Sequence, residues 1–92
     1  MIYTKDETTY ILKHETGKYL SFQDESTFDH LTKNPLEATK FSTRMTAELV
    51  VKHNKELDRK TMRWNSERVL ADTISACTVK ELKVHTEYEV EE

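Results

Sequence analysis

The segment that constrains the fold most lies near the end of the sequence, where apolar and charged residues alternate with a period of two. The first set is Leu82, Val84, Thr86, Tyr88 and Val90. The second set is Lys83, His85, Glu87 and Glu89. Because successive side chains of a strand point to opposite faces, this alternation predicts a half-buried strand. Its natural place is an antiparallel sheet with one face on a helix and the other in water.

A β-hairpin is predicted near the start of the sequence. Residues 8–14 include the strand-forming run Tyr10, Ile11 and Leu12, and an extended pattern resumes over residues 18–22. Gly17 lies between the two runs and accepts a positive φ without steric cost. We therefore expect the two runs to pair across this turn, with Phe28 and Leu31 returning the chain to the core afterwards.

The middle of the sequence predicts the helices. Asn34 and Pro35 indicate one short helical turn, and Ser42 or Thr43 is a suitable cap for a main helix over residues 44–60. The apolar stripe expected for the main helix recurs every four residues, with Ala47 and Val50 beside it: Met45, Leu49, His53 and Leu57.

A second, shorter helix is expected after Trp64. Asn65 or Ser66 is the predicted cap, and Val69, Leu70 and Ile74 are predicted to face inward. The β-branched residues over 73–79 leave a strand open as the alternative for that part.

These elements define the predicted fold. With 92 residues, one Gly and one Pro, the chain carries no linker-like tract, so a single domain over residues 1–92 is expected. The predicted class is α+β: a small antiparallel sheet, made of the N-terminal hairpin and the long C-terminal strand, packed on one main helix and a shorter second helix.

The cysteine count and the apolar segments indicate the compartment. Cys77 is the only cysteine, which excludes an intramolecular disulfide and suits a reducing environment. No run of 18 apolar residues and no signal-like start occurs. We expect a cytoplasmic protein without a membrane partner.

Candidate catalytic and metal-binding residues do not form recognisable motifs. Successive histidines are at least 16 residues apart, the spacing from His14 to His30, so none forms a ligand pair on one element. Cys77 has no flanking nucleophile signature and is expected to be a buried thiol. The prediction is therefore a protein that is not an enzyme, with no catalytic residues, no metal site and no cofactor.

Two oppositely charged segments are the candidate binding surfaces. Residues 52–68 carry a cationic excess around one tryptophan, and the candidate partner-binding residues there are Lys52, Lys55, Arg59, Lys60, Arg63, Trp64 and Arg68. The acidic candidates on the last strand are Glu87, Glu89, Glu91 and Glu92. Solvation of the helix, a tryptophan that closes the core and charges that protect a sheet edge are the alternative interpretations.

The first half of the chain resembles a known class of proteins. Residues 10–13, 17–22 and 34–41, with a helix from Thr43, have the layout of small accessory proteins of phages and prophages of Gram-positive bacteria. The likeness covers residues 10–51, whereas residues 59–79 depart from it and carry Trp64 with most of the cationic excess.

The resemblance implies a phage product that acts in the cytoplasm of a bacterial host, where it binds and blocks a host protein. The expected function is inhibition of a host nucleic-acid enzyme or defence system, a CRISPR effector included, so that the chain would be an anti-CRISPR protein. The first alternative is direct nucleic-acid binding through residues 52–68. The second alternative is a structural homo-oligomer formed through edge strands.

Overall fold

The computed structural model describes residues 1–22, 30–62 and 64–91. Its strands are β1 (Ile2–His14), β2 (Tyr19–Leu20), β3 (Leu31–Thr32) and β4 (Cys77–Glu89), and its helices are α1 (Arg44–Glu56) and α2 (Asn65–Ser75). Short 3₁₀ turns occupy Pro35–Glu37 and Arg59–Thr61. The strands form one antiparallel sheet in the order β3-β2-β1-β4, which confirms the predicted α+β class.

The predicted hairpin joins β1 to β2. Lys13 pairs with Tyr19, and the His14 N–H donates to the Lys18 carbonyl over 2.7 Å. Gly17 adopts a φ of +92°, a conformation that glycine reaches most easily. Leu31 is buried as expected, whereas Phe28 lies outside the described residues.

Most of the sheet is one long ladder between β1 and β4. The register runs without interruption from Ile2 opposite Glu89 to His14 opposite Cys77. β1 therefore starts before the predicted residue 8, and β4 starts before Leu82. Polar residues interrupt the apolar pattern in the added residues of both strands. These residues are extended because β1 and β4 pair with each other.

The buried face of α1 differs from the predicted stripe. Ala47 and Val51 are buried, whereas Met45 is 71% exposed and Leu49 is 55% exposed. Because Ala47 is small, its side of the helix can approach the sheet closely, and this packing overrides the larger residues. Thr43 caps α1 as expected, and its hydroxyl oxygen accepts from the Thr46 N–H over 3.2 Å.

The core lies between the two helices and one face of the sheet. Its buried members are Leu12, Leu20, Ala47, Val51, Ile74 and Cys77. On α2 Ile74 is buried and Leu70 packs against the core, as predicted, but Val69 is exposed. The cap predicted at Asn65 or Ser66 is wrong, since Trp64 is the N-cap residue and makes no side-chain capping bond.

The helices cover the opposite face of β4 from the one that the alternation suggested. Cys77 and Val79 contact the core, and strand geometry places all odd-numbered residues of β4 on that same face. Leu82 and Val84 are half-buried on the other face, whereas Tyr88 and Val90 are exposed.

The far ends of β1 and β4 project from the helix-covered part as a two-stranded ribbon. We define the ribbon as residues 2–8 with residues 83–89; all its side chains except that of Val84 are exposed. Its projection gives the molecule principal extents of 60 × 28 × 21 Å. Within the described residues, no helix is long and apolar enough to cross a bilayer.

Candidate functional site

The described cationic residues of the 52–68 segment are distributed over both helices and the 3₁₀ turn between them. Lys52 and Lys55 are exposed on α1, Arg59 and Lys60 lie in the second 3₁₀ turn, and Arg68 is on α2. Arg63 lies outside the described residues. The contacts of these side chains differ from one element to the next.

A groove between α1 and the beginning of β4 brings two of the predicted lysines together. It has a volume of about 380 Å³, and its lining includes the side chains of Lys52 and Lys55. Val51, Cys77 and Val79 supply apolar lining. The groove is therefore apolar with cationic residues at its side.

Arg44 and Glu48 also line this groove, and the sequence prediction missed both. The signal that could have identified them is helical spacing, since residues 44, 48, 52 and 55 follow one another at intervals of three or four. The guanidinium of Arg44 also lies over the Tyr10 ring, 5.2 Å from its centroid. Three cations and one carboxylate thus share the groove.

Arg59 has an internal role instead of an exposed one. Its guanidinium donates to the carbonyl oxygens of Asn54 and Leu57 near the end of α1. It also bonds Asp72 at 3.0 Å and Ser75 Oγ at 2.8 Å, both on α2. Because these bonds link the two helices, a ligand could use this side chain only by disrupting them.

Trp64 and Arg68 lie on either side of the first turn of α2. The Trp64 side chain is 64% exposed, which contradicts the alternative in which it closes the core. Arg68 donates from Nη2 to the Met62 carbonyl at 2.9 Å. Trp64 therefore remains available to a partner, whereas one guanidinium nitrogen of Arg68 is already used.

The thiol of Cys77 lies in the core and is poorly suited to nucleophilic chemistry. It donates to the Thr73 carbonyl over 3.2 Å, and burial raises its pKa to about 11. The prediction of a buried thiol is confirmed. Across the described ranges, no three His, Cys, Asp or Glu side chains cluster as metal ligands would.

The acidic candidates lie on one face of the ribbon. Glu87 and Glu89 share the odd-numbered face of β4 with His85, and Asp6 lies directly opposite His85 on β1. Glu91 is exposed immediately beyond Val90, whose backbone still pairs with Met1. We call Asp6, Glu87, Glu89 and Glu91 the acidic face; Glu92 lies outside the described residues.

His85 lies beside two of these carboxylates. Its Nδ1 contacts the Asp6 carboxylate, and its Nε2 lies 3.4 Å from Glu87 Oε1. The hydrogen bond with Asp6, followed by that with Glu87, raises the pKa of His85. The carboxylates of Asp6 and Glu87 therefore favour a protonated imidazole at His85.

The groove and the acidic face are far apart. Val79 lines the groove, and His85, which lies opposite Asp6 of the acidic face, is six residues further along the same strand. At about 3.3 Å per residue this separation is roughly 20 Å. A compact ligand could contact one surface or the other, but not both.

No protein-family model, no curated protein and no solved structure matches this chain. A functional assignment therefore depends on the chemistry of the two surfaces.

Proposed function

We propose that the chain is a protein-binding module of phage type that inhibits a host nucleic-acid enzyme. The proposed target is a defence nuclease such as a CRISPR effector. In this proposal, the acidic face enters the cationic groove in which the enzyme holds its nucleic acid. The observation that carries the proposal is the row of exposed carboxylates on one face of a projecting ribbon.

The geometry of the ribbon suits such a role. Carboxylates on alternate residues of one strand lie about 6.6 Å apart and point to the same side. A nucleic-acid enzyme holds phosphates with Lys and Arg side chains, and those cations would attract the same row of carboxylates. Because the ribbon projects from the helix-covered part, it can enter a cleft that the rest of the domain would not fit.

Binding without catalysis is also consistent with the chemistry of the side chains. The one thiol is buried with a raised pKa, so it is a poor nucleophile at neutral pH. The carboxylates of the acidic face are exposed to solvent on the ribbon. The ribbon therefore offers charge and shape to a partner.

Capture from host lysate followed by an activity assay tests the proposal. The native chain should retain a nucleic-acid enzyme in stoichiometric amount and inhibit it when the two are purified. Glu87→Gln with Glu91→Gln should weaken both effects by at least about 10-fold, since charge pairs at an interface stabilise it by one or more kcal/mol.

The matched control removes the same charge elsewhere. Glu56→Gln with Glu67→Gln changes two exposed carboxylates on the helices and should leave capture and inhibition unchanged. Recovery of no stoichiometric host protein would contradict the proposal. Equal loss in both double variants would contradict the role of the acidic face.

Direct nucleic-acid binding is the second candidate, favoured by the convergence of Arg44, Lys52 and Lys55 on one groove. Fluorescence anisotropy with labelled single-stranded and double-stranded nucleic acid would test it. Three phosphate contacts predict a slope of log affinity against log salt of about −2 for single strands. Lys52→Gln with Lys55→Gln should flatten that slope, whereas Lys18→Gln with Lys33→Gln should not. Binding that is absent or insensitive to salt would exclude this candidate.

A further inference from the structure

The open edge of β4 offers a second use of the same strand, which rests on other observations than the proposed function and competes with it for Glu87 and Glu89. β4 is the outermost strand on its side of the sheet, and no described residue pairs with its outer edge. Such an edge presents a row of unpaired N–H and C=O groups that another strand can bind.

The hydrogen bonds of β1 reveal which groups of β4 point outward. Tyr10 exchanges two bonds with Phe41, at 2.9 and 2.8 Å, so its backbone groups point away from β4. Met1 and Val90 exchange bonds at 3.2 and 3.0 Å, so Val90 points toward β1. Because the two orientations alternate along an antiparallel ladder, the odd-numbered residues of β4 direct their N–H and C=O groups to the open edge.

We propose that a second copy of the chain binds this edge, with β4 antiparallel to β4 and the two-fold axis at Thr86. The axis is perpendicular to the sheet, so each face of one copy continues into the same face of the other. Lys83 then lies opposite the partner's Glu89, and His85 lies opposite the partner's Glu87. On the other face Leu82 meets the partner's Val90, and Val84 meets the partner's Tyr88.

This register is compatible with the outward hydrogen-bonding groups. The residues paired through hydrogen bonds, 83 with 89 and 85 with 87, are all odd-numbered, as the phase of the ladder requires. Leu82, Val84 and Thr86 fall in the non-hydrogen-bonded pairs, whose side chains approach most closely. The two-fold axis doubles every pair, so four cross-strand contacts between opposite charges form once His85 is protonated.

Charge and apolar contacts together favour this register over its neighbours. An axis at Lys83 places that lysine opposite the partner's Lys83, and an axis at Glu87 places that glutamate opposite the partner's Glu87. An axis at Val84 sets Glu81 against the partner's Glu87, and one at His85 sets Glu81 against the partner's Glu89. Like charges directly opposite each other destabilise a sheet. The axes at Lys83, Val84 and His85 form fewer contacts between opposite charges than the axis at Thr86. The axis at Glu87 keeps four such contacts but no longer sets Leu82 opposite an apolar residue, so the axis at Thr86 is favoured.

Two symmetry-related like-charge pairs remain in the preferred register, and the groove cations offset them. Glu81 lies opposite the partner's Glu91, at the end of the paired segment. Val79, which lines the groove, is two residues or about 7 Å from Glu81 on the same face of the strand. Arg44, Lys52 and Lys55 line this groove, so the partner's carboxylate approaches a cationic region.

The ribbon itself gains most from this pairing. A two-stranded antiparallel ribbon is marginally stable in water, whereas three or more strands with an apolar face are stable. Pairing of two copies would produce a four-stranded sheet in the order β1-β4-β4-β1. The exposed Tyr3 and Tyr88 rings, stacked at 5.5 Å between centroids, would contribute to its apolar face.

The open edge of β1 is a poorer site for a second copy. Phe41 already occupies this edge at Tyr10, so only residues 2–8 remain open. An axis in the middle of that stretch places Lys5, Asp6 or Glu7 opposite the same residue of the partner. β4 offers the longer edge and a register without a like pair at its centre.

Cysteine cross-linking tests the position of the axis. In the proposed register Thr86→Cys places two thiols in a non-hydrogen-bonded pair, with Cα atoms about 4.5 Å apart, which a disulfide can span. Mild oxidation should convert most of this variant into a covalent dimer. Val84→Cys, on the same face, would hold its thiols about 13 Å apart and should remain uncross-linked. Cys77 is buried and common to both variants. Cross-linking of Val84→Cys but not Thr86→Cys would overturn the proposed register.

Charge exchange with a measurement of mass tests the pairing without new thiols. Sedimentation equilibrium of the native chain should approach twice 10.9 kDa as concentration rises. Lys83→Glu should raise the dissociation constant by at least about 10-fold, because two attractive pairs become repulsive. Adding Glu89→Lys should restore it to within about 3-fold.

The control for charge exchange is Lys33→Glu, which makes the same change in an exposed residue after β3 and should leave the dissociation constant unchanged. Circular dichroism of each variant distinguishes lost pairing from lost folding. A mass of 10.9 kDa at every concentration up to about 1 mM overturns the proposal. Failure of the double exchange to restore pairing overturns it as well.

Discussion

The same two strands, β1 and β4, behave differently at their two ends. At the helix-covered end Leu12 is fully buried and Cys77 lies in the core beneath α1 and α2. At the ribbon end Ile2 is 69% exposed and Tyr88 is 48% exposed, although the ladder is uninterrupted. Strand pairing and burial are therefore separate properties here. The register extends through both ends, but a core forms only at the end that the helices cover.

The largest expected effect on stability comes from a substitution at the helix-covered end, whereas a similar substitution in the ribbon should have little effect. Leu12→Ala leaves a cavity under the helices and should lower the free energy of unfolding by about 2–5 kcal/mol. Ile2→Ala, in the ribbon, should change it by less than about 0.5 kcal/mol, because this side chain is mostly in water. Urea denaturation followed by circular dichroism measures both. Comparable losses in the two variants would show that the ribbon is part of the cooperative core.

Hydrogen exchange compares the two ends within one molecule. The amides of Tyr3 and Ile11 both donate across the ladder to β4, as the bonding phase assigns. The Ile11 amide should exchange at least about 100-fold more slowly than the Tyr3 amide. Opening the bond of Ile11 requires global unfolding, whereas the ribbon can open locally. Mass-spectrometric exchange at low micromolar concentration, with fragments that resolve residues 2–8 from 9–14, checks this. Equal protection at the two ends would contradict local opening of the ribbon.

The comparison also shows what the sequence could predict. The alternation at Leu82 to Val90 predicted a strand correctly, because period two reflects backbone geometry alone. It could not identify the covered face, since Cys77 and Val79 belong to the other half of the alternation and lie before the segment where the pattern is regular. The first residues of β1 were missed for a related reason: they carry no apolar pattern and are strands only through their pairing with β4.

Helix packing limited the prediction of the candidate surface in the same way. The four-residue repeat of Met45 and Leu49 was real, but Ala47 and Val51 have the same spacing on a neighbouring side and fit closer to the sheet. Arg44 was consequently overlooked although it shares a groove with Lys52. Arg59 could not be separated from its neighbours by composition, because its internal role depends on carbonyl groups of α1 and side chains of α2.

Replacement of Arg59 is expected to have an intermediate effect. Arg59→Ala removes bonds to two α1 carbonyls and to Asp72 and Ser75, and should cost about 2 kcal/mol of unfolding free energy. Arg59→Lys should recover only part of this, since an ammonium group cannot reproduce the planar fork of a guanidinium. Chemical denaturation of both variants measures the cost.

Lys60→Ala is the matched control for Arg59, because Lys60 is adjacent and exposed. It should change stability by less than about 0.5 kcal/mol. If Arg59→Ala were as mild as Lys60→Ala, the cationic turn would be free to bind a ligand, and Arg59 would return to the candidate surface.

The smallest expected effect is a change in the titration of His85, in the ribbon. Because the folded-state pKa of His85 is raised, its ion pair with Asp6 is fully present below the ordinary histidine pKa of about 6.5. The ion pair is lost as pH rises through the higher folded-state value. Asp6→Asn removes the largest cause of the shift, so NMR titration of the His85 ring should show a lower midpoint in this variant than in the native chain. Because His85 and Asp6 are exposed, salt should reduce the difference. Identical midpoints would show that the cross-strand contact does not persist in solution, and the ribbon would then differ from the covered end in its ordering as well as in its burial.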